Sequence, residues 1–141
     1  MSDPARHDLM IAASLLEQGS RIDALSRGLT LAAVAGLVWL GGQAPVWALV
    51  CMGAVVGLGL FGLYLAIRVG LDAALFRHLA EGDAAGFDAA MLRQGLLPAA
   101  KAGRPMADRI AGARGLLRRQ AMVLIGQIGF AVAAAVAMAM W

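Results

Sequence analysis

Residues 28–67 read GLTLAAVAGLVWL, GGQAP, VWALVCMGAVVGLGLFGLYLAI, forty positions without one charged side chain. A second tract, residues 120–141 (QAMVLIGQIGFAVAAAVAMAMW), is equally uncharged. One charge at the centre of a bilayer-spanning helix costs about 2.5–3.5 kcal/mol on insertion scales. Two long tracts that avoid this cost predict a chain surrounded by hydrocarbon. The first tract is twice the roughly 20 residues that one span needs, and its one strong turn signal is Gly41-Gly42-Gln43-Ala44-Pro45. The tract therefore divides into two spans. The expected fold is an all-α membrane protein with three transmembrane helices, an N-terminal amphipathic helix and a cytoplasmic helical segment.

The bulk composition agrees. The 141 residues are 61% hydrophobic but only 6% aromatic, and the mean hydropathy is +0.76. A soluble domain is about 45–50% apolar. The length allows a single domain over residues 1–141. The formal charge is +3. All but one of the basic residues are Arg, which with the Ala and Gly bias reads as GC-rich bacterial coding. The basic residues are best explained by topology, and no nucleic-acid partner is expected. Cys51 stands alone in an apolar run, so no internal disulfide can form. The first 27 residues mix acids and Arg and lack the apolar run of a signal peptide, so the mature chain is expected to keep its Met1 end.

Along the chain, Ser2-Asp3-Pro4 reads as a helix start, and residues 4–18 form a modest amphipathic helix. Gly19 is placed to end that helix in a left-handed cap. Ser20-Arg21-Ile22-Asp23 then resembles a capping box. The first span is expected over 21–40. The second is expected over 46–67 and should continue as helix to about residue 80, because nothing breaks it there. Arg68 with Asp72, and Arg77 with Glu81, have the spacing of helical ion pairs. Residues 81–120 form the cytoplasmic segment, with a short helix over 87–94 and a loop over 96–105. Pro105 opens the last helix, whose spanning part is 121–140 and ends at the interfacial aromatic Trp141. No internal repeat is visible. Nine Lys or Arg lie between Arg68 and Arg119, against none in the 41–45 turn. The positive-inside rule then places the N-terminus and the 68–119 loop in the cytoplasm of a bacterial inner membrane, and the C-terminus outside.

Two constellations stand out. Arg109, Arg114, Arg118 and Arg119 form a juxtamembrane basic cluster. Such a cluster attracts anionic headgroups and can hold phosphate oxygens in bidentate fashion. It is either a topology anchor that snorkels to the headgroups or a specific lipid-phosphate site. The second constellation is a small-residue pattern: Ala32 and Gly36 in span one, Gly53 and Gly57 in span two with Gly59 and Gly62 nearby, Gly126 and Gly129 in span three. Small residues at this spacing let helices approach closely in lipid, either within the chain or against a partner. Gln127 is expected to hydrogen-bond across helices. His7 and His78 lie on separate segments near or outside the interface, so no metal, haem or other cofactor is expected.

The layout of amphipathic helix, two spans, cytoplasmic stretch and third span is similar to that of bacterial diacylglycerol kinase. That family carries acidic and Asn residues at the cytoplasmic end of its second span. The matching region here reads Leu63-Tyr64-Leu65-Ala66-Ile67-Arg68, and its first acid is Asp72. The likeness therefore extends to architecture and implies no kinase. No ionisable group lies mid-span, as transporters and membrane enzymes generally require. The expected function is a small non-enzymatic accessory or assembly subunit that packs against a membrane partner or itself. Its alternatives are a phospholipid-binding or lipid-modifying protein that uses the Arg cluster, and an immunity- or holin-like protein.

Overall fold

In a computed structural model, which describes residues 3–81 and 106–141, the described residues form four helices. They are α1 (Asp3–Glu17), α2 (Gly19–Leu40), α3 (Val46–Glu81) and α4 (Met106–Ala139). The described residues contain no strand. The expected helix at 87–94, the loop at 96–105 and the Arg77–Glu81 pair lie outside what the structure describes.

The joint between α1 and α2 differs from expectation. Gln18 has right-handed dihedrals (φ −65°, ψ −20°), and α2 begins at Gly19 without a side-chain cap. Ser20 Oγ donates backward to Glu17 O at 2.7 Å. Gly19 is therefore not a left-handed cap. Its lack of a side chain is used for packing. A Cβ there would sit 3.1–3.2 Å from Leu117, Gln120 and Val69, tighter than ordinary contact. Gly19 is the point where three helices cross.

The α2–α3 turn is short because Leu40 O accepts from both Gln43 N and Ala44 N, each at 2.8 Å. Pro45, which cannot donate, instead accepts from Ala48 N at 2.9 Å and so starts α3. The 36-residue α3 is about 54 Å long at the helical rise. It runs past the start of α2 and alongside α1. Cross-helix neighbours establish the register: Gly19 faces Val69 and Gln120, Gly62 faces Ser26 and Val123, and Gly36 faces Met52. Hence α3 runs antiparallel to α2, and α4 runs parallel to α2.

Buried positions recur with a period of seven. They are Ala48, Val55, Gly62, Val69 and Phe76 on α3, and Ala113, Gln120, Gln127 and Ala134 on α4. On α1 and α2 the buried series Leu16, Gly19, Asp23 and Ser26, then Ala33, keeps one register through the joint. This is the spacing of left-handed supercoiled packing. The seam mixes small and polar residues with Leu16, Val55, Val69 and Phe76, so hydrophobicity alone does not mark the repeat. At one end a cluster of Ala12, Ala13, Leu16, Val69, Ala73, Phe76 and Ala113 joins α1, α3 and α4.

The large apolar side chains point outward, including Leu31 (70% exposed), Val38 (82%) and Leu60 (62%). Three stretches, Met10–Leu40, Val46–Ala74 and Ile110–Ala139, are long and apolar enough to cross a membrane. At one end of the bundle stand the exposed Trp39, Trp47 and Trp141. Towards the other end, on the level of Gly19, stand the exposed Arg21, Arg68, Arg118 and Arg119.

Candidate functional site: a polar seam and an open cleft

Gln127 is fully buried between three helices. Ser26 Oγ donates to its Oε1 at 2.6 Å. Gln127 Nε2 donates to Thr30 Oγ1 at 3.1 Å, to Val55 O at 3.1 Å and to Ser26 O at 3.4 Å. Thr30 Oγ1 in turn donates to Ser26 O at 2.7 Å. Gly59 makes room for this knot. A Cβ there would overlap Thr30 Oγ1 and come within 2.9 Å of Gln127 Nε2. Every polar atom of the Gln127 amide has a protein partner, so the knot holds the three helices together and leaves no group free for chemistry.

One heptad towards the N-terminus of α4, Gln120 repeats the motif less completely. Its Nε2 donates to Gly19 O at 3.0 Å, but its Oε1 is buried without a hydrogen-bond partner. The Arg residues surround this level. Arg114, Arg118 and Arg119 are all exposed. Arg114 and Arg118 lie one turn apart on one side, whereas Arg119 is rotated about 100° from Arg118. The side chain of Arg109 lies outside the described residues. The described cluster is thus spread over a broad arc of its helix. Arg68 stands over the Tyr64 ring at 5.9 Å, a cation–π contact.

A cleft of about 580 Å³ opens beside this level. One wall carries Glu17, Ser20, Asp23 and Arg27, and the other carries Leu63, Ala66, Ile67 and Gly70 of α3. Arg27 pairs with Asp23 Oδ2 along the helix; their side chains are 61% and 10% exposed. Asp23 Oδ1 is buried and has no hydrogen-bond partner. A carboxylate oxygen in that condition is costly, and such exceptions call for an explanation.

The small residues divide into two sets. A Cβ added at Gly36 would lie 3.0 Å from Met52 Sδ and one at Gly126 3.4 Å from Leu58 Cδ1, so both glycines pack inside the bundle. Gly53, Gly57 and Gly129 are exposed with nothing facing an added Cβ, and Ala32 is exposed as well. The cleft was not legible in the sequence. Gly59 and Gly62, which the sequence offers only as neighbours of the Gly53/Gly57 motif, are closely met by other helices, as is Gly19, which the sequence offers only as a cap. The signal was the 4-3 spacing of Gly19, Asp23, Ser26, Thr30 and Ala33, a small and polar stripe along α2. Among the described residues, no three His, Cys, Asp or Glu side chains are grouped to hold a metal. Compared with protein-family models, curated proteins and solved structures, the chain matches none.

Proposed function

We propose that the chain is a non-enzymatic, multi-pass subunit of the bacterial inner membrane, which packs through an outer face of α3 against a membrane partner or a second copy of itself. The observation that carries this reading is the contrast between the two sets of glycines. The inner set is filled by neighbouring helices. Gly53 and Gly57, one turn apart, form a shallow outer groove with no protein against it. Such a groove favours close helix approach in lipid, where van der Waals packing drives association. The satisfied knot at Gln127 supports a structural reading of the interior. In the proposed orientation the Arg level faces the cytoplasm and the three Trp lie outside.

The test is purification in mild detergent with Gly53→Leu and Gly57→Leu as probes. A Cβ at either position meets nothing within 4 Å. The wild type is expected as a homo-oligomer or a stoichiometric complex, which Gly57→Leu dissolves. A wild-type chain recovered as a lone monomer would remove the idea.

A second reading, anionic-lipid binding, is favoured by the exposure of Arg114, Arg118 and Arg119 at one end of the apolar tract. Replacing all three with Gln and measuring retained phosphatidylglycerol separates it from simple anchoring. Unchanged retention would dispose of it.

A further inference from the structure

We infer that the cleft between α2 and α3 binds the headgroup of a phospholipid that carries a primary ammonium. The inference rests on the chain's lying in a bilayer, but not on its having a protein partner.

Three observations converge. The first is depth. Gly19, Ser20 and Asp23 share the level of the Arg girdle, where headgroups meet hydrocarbon. The second is charge. Asp23 is nine-tenths buried, lines the cleft and keeps one carboxylate oxygen without a partner. The broad terminal torsion of a carboxylate lets that oxygen turn to a donor. A primary ammonium offers three N–H donors and a compensating charge. Arg27 has five donors and uses part of that fork on Asp23, so it can also take the phosphate of the same headgroup. The third is shape. The opposite wall, Leu63, Ile67 and Gly70, is apolar and continues into the exposed face of α3, where an acyl chain can lie. A quaternary ammonium lacks the N–H donors, and a glycerol headgroup lacks the positive charge.

Gly70 allows a test that spares the fold. It lines the cleft, and a Cβ there would meet nothing within 4 Å. Gly70→Leu therefore puts bulk into the cleft from a position where nothing opposes the first side-chain carbon. Gly112, where an added Cβ also meets nothing, is outside the cleft and serves as the control.

The purified chain is offered phosphatidylethanolamine, phosphatidylcholine and phosphatidylglycerol with identical acyl chains, and bound lipid is counted by native mass spectrometry. The wild type is expected to prefer phosphatidylethanolamine by about tenfold, as one charge-assisted hydrogen bond predicts. Asp23→Asn and Gly70→Leu should each abolish the preference, and Gly112→Leu should keep it. If Asp23→Asn does not fold, Gly70→Leu decides alone. Equal retention of the three lipids, or a preference that survives Gly70→Leu, overturns the inference. Tighter binding of soluble phosphoethanolamine than of the lipid would assign the site to a water-borne ligand and also overturn it. Carbonate extraction checks the bilayer placement independently.

Discussion

Gln127 shows what a polar side chain costs and contributes in an apolar bundle. Its amide would be expensive to bury alone, yet four hydrogen bonds to Ser26, Thr30 and Val55 satisfy it. In membrane proteins such interhelical bonds contribute about 0.6 kcal/mol on average and up to about 1.7. Gln127→Leu keeps most of the volume but removes the bonds, and leaves the Ser26 hydroxyl to find a carbonyl on its own helix. The expected loss is about 1–2 kcal/mol in a reversible unfolding assay in detergent. Gly59 is less forgiving. Thr30 Oγ1, pinned by its bond to Ser26 O, stands where a Cβ would be. Gly59→Ala should therefore cost about 1–3 kcal/mol through overpacking. Gly53→Ala, on the open face, should stabilise the isolated chain slightly, since alanine is favoured over glycine in a helix by about 0.5–1 kcal/mol. If both glycines respond alike, the division into inner and outer sets is wrong.

The α1–α2 joint acts as a pivot at the level of the element. Gly19 lets α2 touch α3 and α4 at once, and the buried seam continues from Leu16 across Gln18 to Asp23. Gly19→Val would press on Leu117, Val69 and the orphaned oxygen of Gln120. The expected result is separation of α1 from α3 and α4, read as faster amide exchange over α1 while exchange near Gln127 stays slow. Uniform acceleration over the whole chain would count against a local pivot. Parts of the architecture were legible in the sequence because breakers are explicit: GGQAP marks the α2–α3 turn, Pro105 precedes α4, and nothing interrupts α3. The packing seam was not legible. Many Leu and Val face outward while Gly19, Gly59, Gly62, Ser26, Gln120 and Gln127 face inward, so the usual contrast between core and surface is weak. Gly53-x-x-x-Gly57 has the regular motif spacing, yet its neighbours Gly59 and Gly62 are the ones whose faces other helices fill. The cleft needed three dimensions, since Asp23 and Gly70 are far apart in sequence.

For the whole molecule, two rings of side chains mark a slab. Eighteen residues separate Arg21 from Trp39, twenty-one separate Trp47 from Arg68, and twenty-three separate Arg118 from Trp141. At the helical rise these spacings are about 27, 32 and 35 Å, close to the roughly 30 Å of a hydrocarbon core. Three independent helices thus agree on one thickness, with tryptophans at one interface and guanidiniums at the other, as membrane anchors are distributed. The remaining lengths of α3 and α4, with α1, extend beyond the Arg ring as a helical stalk that shares the seam of the slab. The exterior between the rings exposes Leu31, Val38, Leu60 and Val132. This geometry predicts a specific labelling pattern. In a Cys51→Ala background, Gln43→Cys in the α2–α3 turn should react with an impermeant maleimide on intact cells. Arg114→Cys, beyond the Arg ring, should react only after the membrane is opened. The reverse pattern would invert the proposed orientation while preserving the slab. Equal labelling of both sites on intact cells, together with release of the chain by alkaline carbonate, would remove the slab itself.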